Sequence, residues 1–450
     1  MVEMRSIWTE TISLPQFKTL KGSRSTDVLI IGGGMAGILC AYFLKKAGVD
    51  SVLAEGGRIC SGITKNTTAK VTSQHGLIYR RLVEGLGTER AKMYLDANQD
   101  AVRKFARLSR RIDCDYEVRT AYVYSRDNRK KLEAEAEALR RIGFVPKLMD
   151  ECELPFQTAG AVGFAEQGQF HPLKFANGIV KGLKIYENTF VKELTKDRAV
   201  TDKGEIQFQR LIFATHFPID NKHGMYFMKM YQDRSYVIAL KGGPRMKGMY
   251  IDEAKGGMSF RNYGDCLLLG GGSHRTGEKG GNWEEIRNFA RLYYPNLDEQ
   301  CYWAAQDCMT LDGIPYIGRY SRSMPGCYVA TGFNKWGMSS SMAAASILTD
   351  LILERENPYA PVFYPSRNML KTQLFVNGGK AVKNLFTVSK KRCPHMGCAL
   401  KWNKAERSWD CPCHGSRFDG FGKLLDNPAN GGLGSRGGEE REKDIGKSCK

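Results

Sequence analysis

The sequence predicts an α/β protein that ends in a small module rich in cysteine and histidine. A buried strand at residues 27–31 leads into Gly32, Gly34 and Gly37 and then into an apolar helix, a pattern typical of a parallel α/β unit. Near the other end, four cysteines and two histidines fall between residues 393 and 414. The 450 residues are 42% hydrophobic and 26% charged, so the chain is long enough for two or three units and is neither disordered nor fibrous.

The remaining elements follow from hydrophobic periodicity and from glycine and proline positions. The patterns predict, in order, a strand at 50–54 that ends at Glu55, helices at about 88–112 and 130–142, short strands from about 183 to 217, a mixed α/β stretch at 221–305 and a small-residue helix at about 339–353. Three prolines between 356 and 367 mark a linker.

These patterns divide the chain into consecutive parts. The expected parts are an N-terminal extension (1–24), a nucleotide-binding domain with a helical insertion (25–220), a substrate domain (221–305), the closing part of the nucleotide-binding domain (306–355), a linker (356–370), a minimal cluster-binding module (371–433) and a polar tail (434–450).

The charge balance is strongly basic, with 67 lysines and arginines against 48 aspartates and glutamates and a net charge of +19. This charge attracts anionic partners, but the basic residues are scattered in twos and threes, so nucleic-acid binding is not expected. Two interpretations remain open, a solvated basic surface or a surface that docks an acidic redox protein.

Neither membrane insertion nor secretion is expected. The longest apolar run, residues 28–44, is interrupted by four glycines, and so no integral membrane segment is predicted. The first 17 residues lack the apolar stretch and cleavage site of a secretory signal, which favours a cytoplasmic protein. In that compartment a cysteine cluster holds a metal more often than a disulfide framework.

The glycine pattern Gly32-x-Gly34-x-x-Gly37 is the fingerprint of a dinucleotide site. One glycine makes the turn, one lets the backbone approach the pyrophosphate, and one lets the helix pack on the strand. Glu55, at the end of the next strand, is placed to accept hydrogen bonds from ribose hydroxyls. A plain tight turn is the alternative interpretation of the glycines.

With these motifs the chain resembles the FAD-dependent oxidoreductases of the D-amino-acid oxidase and glycine oxidase type, over about residues 25–355. The resemblance also rests on His171-Pro-Leu, Ile212-Phe-Ala-Thr-His, Asp312-Gly-Ile-Pro-Tyr-Ile-Gly and Thr331-Gly-Phe-x-x-x-Gly-Met. It implies a Rossmann-like FAD-binding domain with a mixed α/β substrate domain, and a flavin that faces the N-terminus of the helix after Gly337. The cofactor-binding residues it implies are Gly32, Gly34, Gly37, Glu55, Thr215, Asp312, Gly332, Gly337 and Met338. A simple strand-to-helix turn is the alternative interpretation of residues 332–338.

One departure from this family concerns the substrate. Relatives commonly carry an arginine upstream of Asp-Gly-x-Pro to bind the substrate carboxylate, and here Asp307 stands in that place. A carboxylate cannot bind a carboxylate, so an ordinary α-amino acid is doubtful and Asp307 is a candidate for attracting a cationic amine, with a structural aspartate as the alternative. The other catalytic candidates are Arg261 and Lys335. Arg261 and Arg275 are either carboxylate anchors or, more simply, members of surface ion pairs.

At the C-terminal end, Cys393-x-His395 and Cys411-x-x-His414 provide the two thiolates and two imidazoles of a Rieske 2Fe-2S centre. A small zinc ribbon is the alternative. The strings Cys-Pro-His-Met-Gly-Cys and Cys-Pro-Cys-His-Gly-Ser closely resemble the Rieske family, which implies a small all-β cluster-binding module. Most supporting strands of a full Rieske domain are expected to be absent, so that the cluster loops lean on the flavin domain.

The Rieske resemblance also assigns roles to residues around the cluster. It implies a disulfide between Cys398 and Cys413, and a hydroxyl donor to sulfide in Ser416. High-potential members carry a tyrosine two residues after that serine, where this chain has Phe418. With one hydrogen bond fewer on the reduced cluster, a potential below that of respiratory-chain Rieske proteins is expected.

The two ends together predict a dehydrogenase. A flavin takes two electrons from a small amine, amino acid derivative or related compound, and the cluster passes them singly to an acidic one-electron carrier protein. Two alternatives stay open, an oxidase that uses oxygen and has a structural cluster, and a non-enzymatic electron-transfer or redox-sensing protein. The direction of electron flow is left open as well.

Overall fold

A computed structural model describes residues 2–220, 223–367, 384, 387, 389 and 391–434. The helices are α1 (Met35–Lys46), α2 (Ile63–Asn66), α3 (Tyr79–Ser109), α4 (Arg129–Arg141), α5 (Pro172–Ile179), α6 (Tyr226–Lys229), α7 (Asn282–Tyr293), α8 (Gly337–Ile352) and α9 (Ala360–Phe363). The strands are β1 (Glu3–Met4), β2 (Gly22–Ile31), β3 (Ser51–Ala54), β4 (Lys70–Val71), β5 (Glu117–Ser125), β6 (Lys147–Met149), β7 (Gly160–Gln169), β8 (Ile185–Tyr186), β9 (Val191–Leu194), β10 (Arg198–Thr201), β11 (Gly204–Phe213), β12 (Met230–Lys241), β13 (Gly248–Asp252), β14 (Ser259–Tyr263), β15 (Cys266–Arg275), β16 (Asp298–Thr310), β17 (Tyr316–Ser321), β18 (Met324–Thr331), β19 (Lys401–Asn403), β20 (Ser408–Asp410), β21 (Arg417–Phe418) and β22 (Leu424–Asp426).

The first sheet carries the nucleotide-binding pattern and has the order β17-β18-β11-β2-β3-β8, with β10 and β9 added beside β11. Its centre is parallel, since β2 pairs in parallel with both β3 and β11. Apolar helices α1 and α8 pack against each other beside this sheet. Because parallel strands end at one edge, β2, β3 and β11 bring Gly32, Glu55 and Thr215 together there. The predicted Rossmann-like fold is confirmed.

The second sheet is mixed and follows the order β1-β16-β12-β15-β14-β13-β5-β7-β4, with β6 beside β7. It draws on strands well outside the expected substrate range 221–305, because β5 and β7 come from the helical insertion and β1 from the N-terminal extension. Helix α7 packs over β12 and β15 and closes an aromatic core around Trp283 and Phe260. The long strands β12 and β16 reach the edge where the cofactors are expected.

The third sheet is small and antiparallel, in the order β19-β20-β21-β22. Its strands are two or three residues long, and its core contains Leu400, Phe418 and Ala429 together with the module's buried cysteines. The expected small all-β module is confirmed. So few strands form only a thin cover, and the module depends on neighbouring parts of the chain for burial.

The N-terminal segment pairs with the second sheet and contacts the residues that follow β8 in the first. Strand β1 pairs in parallel with β16, and Trp8 is fully buried, with its indole N–H donating to the carbonyl of Thr67 at 2.7 Å. Further along, the backbone N–H of Phe17 donates to Glu187 at 3.1 Å. The segment therefore ties the second sheet to the first before β2 begins.

Three of the expected parts, the linker, the cluster-binding module and the tail, lie partly outside the described residues. The linker is described to residue 367 and contains α9, while residues 368–383, 385, 386, 388 and 390 and the tail from 435 onward are outside the described ranges. Within those ranges, no helix has the length and hydropathy needed to cross a membrane.

Candidate functional site

The glycine turn after β2 is built so closely that side chains are excluded from two positions. Gly32 has φ +111°, and a Cβ there would lie 2.4 Å from the carbonyl oxygen of Ala214. A Cβ on Gly37 would lie 1.9 Å from the carbonyl oxygen of Gly32. These glycines let β2, β11 and α1 approach one another, as the fingerprint requires.

Gly34, the middle glycine of the fingerprint, faces open space instead. The nearest atom to a Cβ on Gly34 would be Thr64 Oγ1 at 3.5 Å, and Gly34 caps α1 without a side-chain hydrogen bond. The N–H of Met35 donates to Thr64 Oγ1 at 3.0 Å, so the helix N-terminus offers its dipole and the other N–H groups of its first turn to a ligand. A pyrophosphate fits this cradle, and Gly34 together with the first turn of α1 would hold it.

Glu55 lies beside this cradle. Its carboxylate accepts hydrogen bonds from the N–H groups of Gly33 at 2.7 Å and Gly57 at 2.8 Å. Burial raises the pKa of Glu55, and these two hydrogen bonds offset part of that effect. The side chain is held at the end of β3, where it would accept from a ribose of the bound dinucleotide.

The start of α8 is a second open helix end. Trp336 is the N-cap residue and supplies no side-chain hydrogen bond, and apart from the adjacent residues and the backbone of α8 itself no described atom lies within 4 Å of a Cβ built on Gly337. His75 stacks on Trp336 with ring centroids 4.9 Å apart and hydrogen-bonds to Ser339 Oγ at 2.9 Å. Burial lowers the pKa of His75 to about 3, so it is neutral. Met338 is buried behind this opening.

Other residues predicted to bind the cofactor shape the chain around the opening. Burial raises the pKa of Asp312, but hydrogen bonds from Arg367 at 2.6 and 2.8 Å outweigh it and the pKa is lowered overall. Gly332 is pressed against β16, since a Cβ there would lie 2.3 Å from Thr310 Cγ2. Thr215 donates to the carbonyl of Phe217 at 2.8 Å. These contacts are structural, and the ligand roles of Thr215, Asp312 and Gly332 stay predictions.

The catalytic candidates fall into two places. Asp307 and Lys335 lie beside the opening at α8, with Asp233 directly across the β12–β16 ladder from Asp307. Arg261 lies elsewhere, only 1% exposed, and donates to the carbonyls of Thr68 at 2.6 Å and Ala69 at 2.9 Å. Its guanidinium is occupied by backbone, so surface exposure is wrong for Arg261 and the structure offers no support for a carboxylate anchor there.

In the C-terminal module, the predicted iron ligands converge from two loops. The rings of His395 and His414 lie 4.9 Å apart and nearly perpendicular. Burial lowers the pKa of His395 to about 4 and that of His414 to about 3, so both imidazoles are neutral, the form that binds metal. Nδ1 of His414 is buried and has no hydrogen-bond partner among the described residues. This atom suits a metal.

The thiols of two cysteines complete the predicted set of iron ligands. Cys393 and Cys411 share a hydrogen bond, which lowers the pKa of Cys393 to about 7. Backbone N–H groups of His395 and Met396, and the hydroxyl of Ser416, also point at the Cys393 sulfur. Such donors favour negative charge on sulfur, as a reduced cluster requires. Two sulfurs and two imidazoles therefore fit a Rieske centre, and Cys393, His395, Cys411 and His414 would hold it.

The remaining cysteine pair braces the two loops. Cys398 and Cys413 form a disulfide, and the sulfur of Cys411 lies within 4.8 Å of both of its sulfurs. These three cysteines are therefore near neighbours, but two of them are consumed by the disulfide. The disulfide leaves Cys393, His395, Cys411 and His414 as the ligand set, a combination that by residue type alone suits either a Rieske cluster or tetrahedral zinc.

The cluster loop that follows Cys411 rests on side chains of the flavin-binding part. Gln232 Nε2 donates to the carbonyl of His414 at 2.8 Å, and Gln306 Nε2 donates to that of Gly415 at 2.8 Å. Arg275 donates to the carbonyls of Pro412 at 3.2 Å and Cys413 at 3.1 Å. Surface exposure is thus wrong for Arg275 too, because it supports the cluster loop. The expected cover by the flavin domain is present.

A second contact reaches the end of β11. Asn427 Nδ2 donates to the carbonyls of Thr215 at 2.7 Å and Phe217 at 2.8 Å. The ring of Phe217 lies 6.4 Å from that of His395, and the ring of Phe227 lies 6.0 Å from that of His414. Both cluster histidines therefore face the flavin-binding part.

A buried ion network lies beneath the module. Glu406 accepts from Arg234 Nε at 3.0 Å and from Arg417 at 2.8 Å, and Arg417 also pairs with Asp410 and Asp426 at 3.0 Å each. Burial raises the pKa of Glu406, but the two guanidiniums outweigh it and keep that pKa low. Arg234 belongs to β12, so the network crosses between the parts. Breaking such a buried pair by removing one partner costs about 3–5 kcal/mol.

Comparison with protein families agrees with this geometry. The model of the FAD dependent oxidoreductase family matches residues 27–351, most of the chain. The chain belongs to this family. A second model, for the Rieske [2Fe-2S] domain, matches residues 363–435. This FAD-dependent oxidoreductase therefore combines an FAD-binding domain with a C-terminal domain for a Rieske 2Fe-2S cluster.

Individual relatives share one or both parts. YhfW of Bacillus subtilis (strain 168), whose name describes it as a Rieske 2Fe-2S iron-sulfur protein, is 33% identical, over 94% of this chain and 95% of its own. Gamma-glutamylputrescine oxidoreductase of Escherichia coli (strain K12) is 24% identical, over 75% and 85%. Among solved structures, L-proline dehydrogenase from P. horikoshii has a TM-score of 0.65 at 18% identity, covering 77% of this oxidoreductase and 98% of its own chain. Glycine oxidase from Geobacillus kaustophilus has a TM-score of 0.63 at 18% identity, over 77% and 99%.

Several interface residues escaped prediction from the sequence. Gln232 and Gln306 are buried amides in strands that also contain other polar residues, so their polarity did not distinguish them in the sequence. Asp233 had no motif to mark it. The contact of Asn427 with the residues after β11 depends on how the two parts dock, which the sequence does not show.

Proposed function

We propose that this oxidoreductase is a dehydrogenase that oxidises a small amine, amino acid derivative or related compound and relays electrons singly through its Rieske cluster to an acidic carrier protein. The observation that carries the proposal is the docking of the cluster loops. Both predicted histidine ligands face the flavin-binding part, and the loop that carries His414 accepts hydrogen bonds from strands β12, β15 and β16. A cluster with a purely structural role would need no such orientation.

The two cofactors divide the chemistry between two-electron oxidation at FAD and one-electron transfer at the cluster. The residues of the chain supply the setting. The open N-terminus of α8 at Gly337 favours negative charge next to it, and Asp233, Asp307 and Lys335 line its side toward β16. Gln232, Gln306 and Arg275 hold the loop of Cys411 and His414 in a fixed orientation.

The proposed electron acceptor and the cellular location rest on the sequence alone. The net charge of +19 supports an acidic one-electron carrier such as a flavodoxin or ferredoxin. A cytoplasmic location stays a prediction.

The test is anaerobic mixing of the purified holoenzyme with a panel of small amines and amino acid derivatives. We expect bleaching of the flavin bands, then a rhombic EPR signal from the reduced cluster, then reduction of an added flavodoxin or ferredoxin. The matched control is Cys393→Ser, which removes one proposed iron ligand and should abolish the EPR signal while the flavin still bleaches.

Other outcomes would contradict the proposal in distinct ways. Rapid oxygen consumption with an EPR-silent cluster would indicate an oxidase whose cluster is structural. Reduction of the flavin by a reduced carrier protein, with every organic compound inert, would indicate a non-enzymatic electron-transfer protein.

A further inference from the structure

We propose that Asp233 and Asp307 form a binding site for the positively charged nitrogen of the substrate, so that the enzyme selects cationic amines and does not require a substrate carboxylate. The inference rests on the proposed function in one respect, that the substrate reacts beside the start of α8. It adds Asp233, a residue that no motif marks, and commits the site to one class of ligand.

The two carboxylates are placed together by strand register. Asp233 of β12 pairs with Asp307 of β16, and directly opposed residues of an antiparallel ladder share one face of the sheet. The neighbouring side chains Gln232 and Arg234 reach the cluster module on the opposite face. The aspartates are therefore turned away from the cluster loops.

This face borders the opening where the flavin is expected. The N–H of Asn334 donates to the carbonyl of Cys308 at 3.0 Å, and Thr310 donates its N–H to Asn334 Oδ1 at 2.7 Å. The loop that precedes α8 thus runs along β16, next to Asp307. Beyond it, the space at Gly337 is open.

Asp233 carries an unmet hydrogen-bonding need. It is only 3% exposed, and its Oδ1 has no hydrogen-bond partner within the described part of the chain. Leaving a buried acceptor unsatisfied is unfavourable, and more so for a charged one. For Asp307 as well, the described residues provide no hydrogen bond or ion pair to its carboxylate. A ligand ammonium, with up to three N–H donors, satisfies both groups.

The surrounding charges leave room for a cation. The titratable and charged groups around the aspartates are Tyr231, Arg234, His274, Arg275 and Lys335. Arg234 is paired with Glu406, Arg275 is directed at backbone carbonyls, and burial lowers the pKa of His274, which favours its neutral form.

Lys335 is the one cation of this set that faces the aspartates. Its Nζ lies 3.9 Å from Asp233 Oδ2 and 3.0 Å from Ser273 Oγ. The Lys335 ammonium shows that a cation fits beside the aspartates. Two ionised carboxylates and one lysine leave a net charge of −1, which a cationic ligand can neutralise.

The protonation state of the Asp307 carboxyl changes between pH 5 and pH 7.5. Burial raises its pKa to about 6, the lysine opposes that rise, and Asp233 adds to it. At pH 7.5 the carboxylate is mostly ionised, and below about pH 6 it is mostly neutral. Cation binding should therefore weaken as the pH falls from 7.5 to 5.

The experiment titrates the oxidised holoenzyme anaerobically with butylammonium, butyrate and butanol and follows the shift of the flavin absorption bands. We expect butylammonium to bind at least tenfold more tightly than butyrate or butanol. Asp233→Asn and Asp307→Asn should each weaken butylammonium at least tenfold, and Lys335→Gln should strengthen it. Asp298→Asn, an exposed position on the same strand, is the matched control and should change nothing.

Equal or tighter binding of butyrate, or unchanged butylammonium binding in both aspartate variants, would overturn the inference. If those variants fold poorly, the sign of the Lys335→Gln effect decides, since loss of a competing cation must strengthen a cation site. Photoreduction of the flavin without any amine, followed by EPR of the cluster, tests the relay separately. If the cluster is reduced but the enzyme does not bind cations selectively, only this inference is contradicted. If the enzyme binds cations selectively but the cluster stays EPR-silent, only the proposed relay is contradicted.

Discussion

At the scale of single residues, the cluster's electron affinity depends on which groups donate hydrogen bonds to its sulfurs. The Ser416 hydroxyl points at the Cys393 sulfur, and its oxygen accepts the N–H of Ala429 at 3.0 Å, which fixes its direction. Phe418 is fully buried in the same core and donates nothing. The two positions therefore offer variants with opposite expected effects.

Phe418→Tyr should raise the reduction potential of the cluster and Ser416→Ala should lower it. A net hydrogen bond of about 1 kcal/mol corresponds to roughly 40 mV for a one-electron couple. An EPR-monitored redox titration of both variants measures the shifts, and the wild type should lie below respiratory-chain Rieske proteins. Shifts of the same sign in both variants, or a wild-type potential among the highest Rieske values, would contradict this account.

At the scale of elements, the start of α3 depends on a buried carboxylate. Glu135 of α4 accepts from the N–H groups of Tyr79 and Arg80 at 2.8 Å each, and it is only 2% exposed. Burial raises its pKa to about 7, although both hydrogen bonds oppose the rise. The folded state therefore binds a proton that the unfolded chain releases at a lower pH.

This linkage predicts how stability changes with pH. A folded pKa above the unfolded value stabilises the protein below the unfolded pKa, and that contribution is lost as pH rises through about 7. The free energy of unfolding of the wild type should fall relative to Glu135→Gln by roughly 1–3 kcal/mol between pH 5 and pH 8. Urea unfolding at both pH values measures this. A difference that stays constant or grows with pH would show that the carboxylate is not the titrating group.

At the scale of the whole molecule, the position of the cluster depends on how its module is attached. Asn427 makes two hydrogen bonds to the end of β11, while Asn430, three residues on, makes one to Ile219 at 3.1 Å from an exposed position. Asn427→Ala should slow reduction of the cluster by the photoreduced flavin at least threefold, because the module loses about 1 kcal/mol per hydrogen bond.

Freeze-quench EPR after a light pulse measures this rate, with Asn430→Ala as the matched control. The control should stay near the wild-type rate. An unchanged rate in Asn427→Ala, with the cluster fully loaded, would mean that other contacts alone set the distance between the cofactors.

Much of this arrangement was predictable because it is local in sequence. Gly32, Gly34 and Gly37 predict the turn from the sequence alone, since the need for residues without a side chain there arises within a few residues of one another. Cys398 and Cys413 were paired through the Rieske resemblance, and the structure agrees. The reach of the second sheet into residues 117–169 was not predictable, because strand neighbours far apart in the chain leave no local signal. The same holds for Gln232, Gln306 and Asp233, whose roles depend on which face of a long ladder meets which neighbour.

The short N-terminal strand has a practical consequence for handling the protein. Strand β1 pairs with Cys301 and Tyr302 of β16 and so covers that stretch of the sheet edge, and a sheet edge left bare presents unpaired N–H and C=O groups to other chains. Material shortened by a few residues at this end, or carrying a bulky affinity tag there, is expected to self-associate and precipitate more readily. Recombinant preparations should therefore keep the first residues native.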